Sequence, residues 1–155
     1  MLTGDSGPTA SAIAKVCGVL QNDENDGTFR MPDSVNPGEL KLQIKEISKK
    51  VAEQRKKGDK VELAISGQSF CCLCSMQDED TTLSVFKDEI MMAADAVVLY
   101  RASPKDKADT VKLVKAHFKG KKRIVAAGDG FNDVNMIEEA HVGVGIVGAE
   151  SNQAA

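Results

Sequence analysis

The stretch that decides the fold is "RIVAAGDGFNDVNMIEEAHVGVGI", residues 123–146. It begins with a short apolar run and passes through a loop that contains two glycines and two carboxylates. A helical pattern and a second apolar run follow. A strand, a loop, a helix and another strand in this order are typical of a β-α-β unit with parallel strands. The stretch therefore predicts a parallel sheet.

The rest of the chain continues the alternation of strands and helices, as α/β domains do. The predicted strands outside the first stretch are residues 1–5 (the tail of a strand), 60–67 and 96–101. The predicted helices are residues 8–18, 37–57, 68–77, 82–95 and 104–118. Residues 21–36 are polar and rich in turn formers, which predicts an exposed loop. We predict an α/β fold with a mostly parallel sheet flanked by helices.

Composition excludes several classes of protein. The chain has 155 residues, 42% of them hydrophobic and 28% charged, which is ordinary for one globular domain with a core. The net charge of -3 gives no electrostatic reason to expect a nucleic-acid partner. No apolar stretch approaches the roughly 18 residues that cross a bilayer. We therefore expect this chain itself to be soluble.

The cysteines allow more than one interpretation. Cys71 and Cys74 form a C-x-x-C motif, which occurs in zinc sites and in redox sites. A zinc site requires a second pair at matching spacing, and only the distant Cys17 exists. The redox interpretation lacks supporting context elsewhere in the sequence. Buried thiols in a reducing compartment are the interpretation that the sequence favours.

Three polar clusters follow predicted strands, at residues 3–5, 101–107 and 128–133. Ligands of parallel sheets bind beyond the carboxyl ends of the strands. We therefore expect the three clusters to converge on one site.

The loop at residues 128–133 offers ligands for a metal ion. Asp129 and Asp133 supply hard oxygen atoms, which favour Mg²⁺ together with phosphate and water. Asn132 adds an amide that can donate to a phosphate or to a neighbouring loop. Gly128 and Gly130 would let the backbone turn and let a ligand come close. The alternative is that both aspartates only cap the following helix.

The other two clusters offer groups that neutralise a phosphoryl group. Lys107 lies in the first turn after Ser103 and Pro104, close to where a strand ends. Thr3 and Gly4 offer a hydroxyl and a backbone N–H. Each is a weak signal alone, and a lysine in a first turn is usually an ordinary surface residue. Together with the acidic loop they indicate phosphoryl transfer, although no residue fits the role of nucleophile.

The motifs "MLTGD", "SPKDKA" and "GDGFNDVNMIEEAHVGVGI" resemble the phosphorylation domain of P-type ATPases, within the haloacid-dehalogenase-like phosphotransferases. The details are similar to the phospholipid-flipping branch, over residues 1–19 and about 60–155, with no specific counterpart for residues 21–58. The family's phosphate acceptor is the first Asp of a "DKTGT" segment, which this chain lacks. The resemblance thus implies a haloacid-dehalogenase-like Rossmannoid fold without its central nucleophile strand, in which residues 1–155 are the C-terminal part of a phosphorylation domain.

The resemblance also implies roles for the candidate residues, with Mg²⁺ and ATP as cofactors. Asp129 would hold Mg²⁺, and Asp133 and Asn132 would order the loop around the ion, with Asp133 as a catalytic residue and second metal ligand. The residues that would contact the phosphoryl group are Lys107, Thr3 and Gly4. The residues that would lie near the nucleotide ribose are Asp5 and Arg101. Phe131 replaces the small residue usual in this branch, and would either pack inside or narrow the site.

The function that the resemblance implies belongs to a longer protein. That protein would be an ATP-driven phospholipid-translocating pump, and this chain would be a cytosolic domain of the integral membrane protein. The implied partners are ATP, phospholipid and the remaining cytosolic and membrane domains, and an accessory subunit is allowed. Two alternatives stay open. One is a stand-alone phosphatase of the same superfamily, and the other is a non-catalytic module that binds Mg²⁺ or phosphate.

Overall fold

The computed structural model describes residues 1–21, 27–31, 33–76 and 81–147. Helices and strands alternate along these ranges, as the sequence predicts. The helices are α1 (Gly7–Val16), α2 (Pro37–Lys57), α3 (Gly67–Ser75), α4 (Thr82–Val85), α5 (Pro104–Phe118) and α6 (Val134–Glu139). The strands are β1 (Thr28–Arg30), β2 (Glu62–Ser66), β3 (Ala96–Tyr100), β4 (Val125–Gly128) and β5 (Val142–Gly145). The chain divides into two compact units, Met1–Ala102 and Ser103–Ala155.

The first unit is built on a three-stranded parallel sheet in the order β1-β2-β3. Leu2 forms a parallel bridge with Leu99 of β3, and the Thr3 N–H donates to the Leu99 carbonyl at 2.9 Å. The N-terminal strand tail that the sequence predicts is therefore present as one bridge beside β3.

Both faces of this sheet are buried. Ala64, Val98 and Tyr100 pack with Ala10 and Ala14 of α1 in one apolar cluster. Successive side chains of a strand point to opposite faces, so the intervening residues point the other way. These residues are also almost completely buried: Leu63, Ile65 and Leu99. The burial of both faces is typical of parallel sheets in α/β domains.

Helix α2 has the boundaries that its sequence predicts. The Asn36 side chain accepts hydrogen bonds from the N–H groups of Gly38 and Glu39, so it caps the first turn. Gly58 ends the helix in the left-handed conformation, with φ of 80°. The buried residues recur at helical spacing: Leu40, Ile44, Ile47 and Val51.

The predicted helix over residues 82–95 is present in a modified form. It starts as α4 and continues as a π-helical segment, Phe86–Met91. Phe86 and Ile90 are fully buried, as the sequence pattern predicts.

The prediction of an exposed loop over residues 21–36 is wrong for part of that range. Thr28–Arg30 forms β1, and Met31 is fully buried. The Thr28 hydroxyl donates to the buried Glu62 carboxylate at 2.9 Å, which fixes β1 beside β2. A strand this short is stabilised by its neighbour rather than by its own sequence. Residues 22–26 and Pro32 lie outside the described residues.

Helix α3 contradicts the interpretation of the cysteines as buried. Phe70 and Leu73 are its buried anchors. Cys71 and Cys74 are exposed, as is Cys17 on α1's C-terminal side, and Cys72 is half-buried. The C-x-x-C motif therefore faces outward, because the helix turns its apolar residues toward the core.

The second unit contains a two-stranded parallel sheet of β4 and β5. Helix α6 lies against both strands, and Val125 and Val142, which pair with each other, are exposed at 61% and 50%. The five described strands thus form two parallel sheets rather than one. This confirms an α/β fold with parallel strands flanked by helices, and it agrees with an incomplete haloacid-dehalogenase-like sheet.

Candidate functional site

The loop between β4 and α6 is shaped by a close approach at Gly128. A Cβ atom added there would lie 2.4 Å from Cβ of Asp133, a distance that carbon atoms do not tolerate. The φ angle of Gly130 is -114°, and Gly128 does not have a positive φ either. The reason for a glycine at position 128 is therefore the space that Asp133 needs, and not the sharp backbone turn that the sequence suggested.

Lys107 and Asp133 form a buried ion pair. The Lys107 Nζ lies 2.8 Å from Asp133 Oδ1, with the two side chains exposed at only 9% and 13%. Asp133 Oδ2 also accepts a hydrogen bond from the Gly130 N–H at 3.4 Å. Both carboxylate oxygens of Asp133 are therefore engaged by groups of this chain. Hydrogen bonds to charged groups in such surroundings are stronger than those in water.

The first turn of α5 is held in place by a capping box. The Ser103 hydroxyl accepts from the Asp106 N–H at 3.2 Å, and Asp106 Oδ2 accepts from the Ser103 N–H at 2.8 Å. Lys107 follows directly, so the box fixes the backbone that carries it. Asp106 was not among the residues predicted from the sequence, although the S-x-x-D capping pattern that starts at Ser103 indicates its role.

The remaining loop residues point outward. Asp129 and Asn132 are exposed, and Phe131 is exposed at 73%. Phe131 therefore does not pack inside the fold, which removes one of the two alternatives for this ring. Within the ranges that the structure describes, no group of three or more His, Cys, Asp or Glu side chains could hold a metal ion.

The first unit brings together Thr3, Asp5 and the backbone of Arg101. The Thr3 hydroxyl donates to Asp5 Oδ2 at 2.7 Å, and the Asp5 N–H donates back to Thr3 Oγ1 at 3.2 Å. The Arg101 N–H donates to the Asp5 carbonyl at 2.9 Å. Gly4 has no atom within 4 Å of the Cβ position, so its surroundings are open. These residues lie just beyond the Leu2 bridge and the end of β3.

Arg101 has an uncommon backbone conformation, with φ of 48°. Left-handed conformations cost about 1–2 kcal/mol per non-glycine residue. Its guanidinium lies 3.6 Å from Asp33 Oδ2. Sequence reasoning missed Asp33, because it placed this residue in an exposed loop.

Tyr100 also contacts Asp33. The Tyr100 hydroxyl donates to Asp33 Oδ1 at 3.1 Å. Burial raises the pKa of Tyr100 above its ordinary value, and the negative charge of Asp33 raises it further. The phenol therefore stays protonated, and it remains a donor to Asp33 at neutral pH.

The predicted residues thus form two sets. Lys107, Asp129, Asn132 and Asp133 lie in the second unit, and Thr3, Gly4, Asp5 and Arg101 lie in the first. The contacts described above join Lys107 to Asp133 in the second unit, and Thr3 to Asp5 and Asp5 to Arg101 in the first. The convergence of the two sets on one phosphate remains a prediction.

Comparison with known proteins shows which family and which individual proteins this chain is similar to. Residues 94–153 match the family of haloacid dehalogenase-like hydrolases. The probable phospholipid-transporting ATPase IIB of Bos taurus is 37% identical over 155 residues, which is 99% of this chain and 12% of that protein. The phospholipid-transporting ATPase DRS2 of Saccharomyces cerevisiae is 36% identical over 157 residues, covering 100% of this chain and 11% of that protein. The probable phospholipid-transporting ATPase tat-5 of Caenorhabditis elegans is 32% identical over 154 residues, covering 99% and 13%.

These matches extend the similarity that the motifs indicated. They cover nearly the whole chain, so residues 21–58, for which the motifs gave no counterpart, have one after all. The chain spans about 12% of the length of the relatives. With its parallel strands, its acidic loop and its lysine at the start of α5, the chain belongs to the haloacid-dehalogenase-like hydrolases and, among them, to the phosphorylation domain of phospholipid-transporting P-type ATPases.

Proposed function

We propose that this chain supplies the Mg²⁺-binding and phosphoryl-binding groups of an ATP-driven phospholipid pump. The observation that carries the proposal is the buried contact of 2.8 Å between Lys107 and Asp133, beside Asp129 in the same loop. A buried lysine at the start of a helix is an uncommon feature. Such a cation is suited to neutralising a phosphoryl group.

In this proposal Asp133 positions Lys107. The carboxylate holds the ammonium at one oxygen and the Gly130 N–H at the other. An ammonium has three donors, so Lys107 can keep this contact while it donates to a phosphoryl oxygen. The transferred group would meet a cation whose place is already fixed, which reduces the reorganisation that charge transfer requires.

The residues present fit Mg²⁺ with Asp129 as the principal protein ligand. Mg²⁺ keeps several waters and is usually bound by one or two carboxylates and substrate phosphates. An exposed carboxylate at Asp129, in a described region without a cluster of three acidic, His or Cys side chains, suits this kind of site better than an all-protein cage. When bound, the ion would neutralise charge on the phosphoryl oxygens. Asp133 as a second ligand stays a prediction, since both of its oxygens are engaged.

The other candidate residues would bind ATP. Thr3 and Gly4 would add a hydroxyl and an N–H to the phosphoryl group. Asp5 and Arg101 would lie near the ribose, and the left-handed backbone of Arg101 is consistent with a functional position, since strained conformations cluster at such sites. Asn132 would order the loop or donate to the phosphate.

The complete reaction requires a longer protein. The phosphate acceptor would be the Asp of a "DKTGT" segment outside these 155 residues. Phospholipid, the remaining cytosolic and membrane domains and an accessory subunit would be partners of that protein, with this chain on its cytosolic side. None of the helices among the described residues combines the length and the apolar character that a membrane span requires.

The binding proposal can be tested on the chain itself. We expect Mg²⁺ with beryllium fluoride, a phosphate mimic, to shift the backbone NMR signals of residues 128–133 and Lys107. The variant Asp129→Asn should weaken binding of Mg²⁺ at least tenfold. Asp109→Asn is the matched control, because Asp109 lies in the same unit and pairs with the surface lysines Lys105 and Lys112. Unchanged signals, or equal losses in both variants, would contradict the proposal.

The absence of the acceptor gives a second test. Incubation of the chain with radioactive ATP and Mg²⁺ should leave no acid-stable, hydroxylamine-sensitive label. We also expect no turnover of a generic phosphate ester. Turnover that is lost in Asp129→Asn would favour a stand-alone phosphatase, and labelling of a carboxylate would show that the chain contains its own acceptor.

A further inference from the structure

The turn between α5 and β4 carries a dense positive charge on a chain that is acidic overall. Four of the five residues 119–123 are Lys or Arg, whereas the whole chain has a net charge of -3. No Asp or Glu occurs between Asp109 and Asp129 in the sequence. The cationic residues of the turn are all exposed: Lys119, Lys121, Lys122 and Arg123. Residues 119–123 are called the basic turn below.

Helix capping and ion pairing do not account for the basic turn. Cations stabilise the C-terminal end of a helix, but Lys115 and His117 already occupy the last turn of α5. The ion pairs of this unit use lysines outside the basic turn: Lys105, Lys107, Lys112 and Lys115. Across the part of the chain that the structure describes, no carboxylate pairs with a cation of the basic turn. The turn therefore presents its charge to the solvent.

The backbone of the basic turn is held in a defined shape. Lys119 and Gly120 both adopt the left-handed conformation, with φ of 44° and 80°. The Lys121 N–H donates to the Phe118 carbonyl at 2.8 Å. The Lys122 ammonium lies 4.4 Å from the centre of the Phe118 ring, in a cation–π contact. Because the turn is already ordered, a ligand would not have to order its backbone on binding.

The basic turn lies at the opposite end of β4 from the loop at residues 128–133. The four residues of β4 separate the two by about 10 Å along the strand. Val125 and Val142 lie at the same end of the sheet as the basic turn, and both are at least half exposed. The Val142 N–H donates to the Ile124 carbonyl at 3.1 Å, which ties the start of β5 to the residue that follows the turn. Exposed cations and exposed apolar side chains therefore adjoin each other there.

We propose that the basic turn is a docking surface for an anionic phospholipid membrane. Surfaces that combine Lys or Arg with apolar side chains suit the boundary between headgroups and acyl chains. Each Lys or Arg near an anionic bilayer adds to the attraction. An acidic protein segment would pair with the cations but would give the valines no acyl chains to contact. The inference rests on the proposed function, because a phospholipid pump keeps its cytosolic domains beside a bilayer, but it uses none of the phosphoryl-binding residues.

The test is co-sedimentation of the complete 155-residue chain with lipid vesicles, without Mg²⁺ or a phosphate mimic. We expect vesicles of phosphatidylcholine with about 30% phosphatidylserine to bind the chain at least about tenfold more tightly than pure phosphatidylcholine vesicles. Binding should weaken strongly between about 0.1 and 0.5 M salt, because salt screens the attraction between exposed charges.

A pair of double variants locates the surface. Lys121→Gln combined with Lys122→Gln should weaken binding to the anionic vesicles at least about tenfold. Lys56→Gln combined with Lys57→Gln is the matched control, because it removes the same charge from exposed residues at the end of α2. Acidic residues flank that pair in the sequence, at Glu53 and Asp59, so we expect the control to retain its affinity.

Two further measurements complete the test. Circular dichroism should show that both double variants are folded, since the replaced side chains are exposed. The variant of the basic turn should keep the NMR shifts that Mg²⁺ and beryllium fluoride cause at residues 128–133, so that loss of vesicle binding and loss of phosphoryl binding are distinguishable.

Three results would overturn the inference. The first is equal binding to the two kinds of vesicle, and the second is an equal loss in the two double variants. The third is binding to soluble poly-glutamate without binding to either vesicle, which would assign the basic turn to an acidic protein segment.

Discussion

Gly128 sets the distance between the end of β4 and the side chain of Asp133. The backbone and the carboxylate approach so closely that a methyl group cannot be placed between them. Asp133 in turn pairs with Lys107. The absence of a side chain at position 128 therefore leaves the space that this pair requires. The neighbouring Gly130 has no comparable restriction, since the nearest atoms to its Cβ position are 3.9 Å away.

We predict that Gly128→Ala is destabilising and displaces Asp133. Overpacking of this kind costs about 1–3 kcal/mol. The measurement is urea unfolding, combined with binding of Mg²⁺ and beryllium fluoride. Gly130→Ala is the control and should change the free energy of unfolding by about 0.5 kcal/mol or less. Equal effects of the two substitutions would contradict the role assigned to Gly128.

Tyr100 makes the stability of the first unit depend on pH in the alkaline range. Its pKa is raised in the folded state by burial and by Asp33. A raised pKa means that the folded state holds the proton more tightly than the unfolded state. The resulting stabilisation is fully present below the unfolded value of about 10, and it is lost as the pH rises from there through the folded value.

We therefore predict that the free energy of unfolding falls more steeply above pH 10 in the wild type than in Tyr100→Phe. At pH 7 the free energy of unfolding of Tyr100→Phe should be about 0.5–1.5 kcal/mol lower than that of the wild type, because the hydrogen bond to Asp33 is missing. Urea unfolding at several pH values from 7 to 11 measures both effects. Parallel pH profiles of the two proteins would show that Tyr100 is not the titrating group.

At the scale of the elements, the pair of Lys107 and Asp133 joins α5 to the turn before α6. Removal of one partner from a buried ion pair leaves a buried charge without compensation. We predict that Lys107→Met and Asp133→Asn each destabilise the protein by about 3–5 kcal/mol. The double variant should lose less stability than the sum of the two single losses. Urea unfolding of the wild type, both single variants and the double variant gives the interaction energy of the pair.

The control pair lies on the same helix. Lys105 and Asp109 are 3.1 Å apart, and Lys105 is exposed at 80%. Surface pairs of this spacing contribute about 0.3–0.5 kcal/mol, so Lys105→Met should have a small effect. If Lys105→Met and Lys107→Met lowered the free energy of unfolding by similar amounts, the burial of the Lys107–Asp133 pair would contribute little to stability.

The elements also show where local sequence is sufficient. The boundaries of α2 follow from Asn36, Pro37 and Gly58, because caps act within a few residues. The π-helical form of Phe86–Met91 was not predicted, because the same apolar spacing is compatible with a regular α-helix. The strand β1 was missed for a related reason, since its three residues are stabilised by Glu62 of the next strand.

At the scale of the whole molecule, the two units differ in how well their sheets are covered. Strands β2 and β3 bury their side chains on both faces, whereas Val125 and Val142 of the second sheet are exposed. Buried apolar contacts determine how often a region opens. We predict that amide hydrogens of β4 and β5 exchange at least about tenfold faster than those of β2 and β3, corresponding to a difference of ~1.4 kcal/mol in opening free energy.

Hydrogen exchange followed by NMR measures this difference at single residues. The central amides of each strand are compared, so that fraying of strand ends does not enter. Equal protection of both sheets would mean that the exposed valines do not weaken the second one.

The sequence by itself determined the family, the alternation of helices and strands, and the residues of the acidic loop, because these depend on short-range spacing and on motifs. Only the tertiary structure decided that Asp133 holds Lys107, that Asp33 contacts Tyr100 and Arg101, and that the C-x-x-C motif faces outward. It also decided that the strands form two sheets. The physical reason is that ion pairs, strand pairing and burial depend on residues distant in the chain, and no local pattern specifies which of them meet.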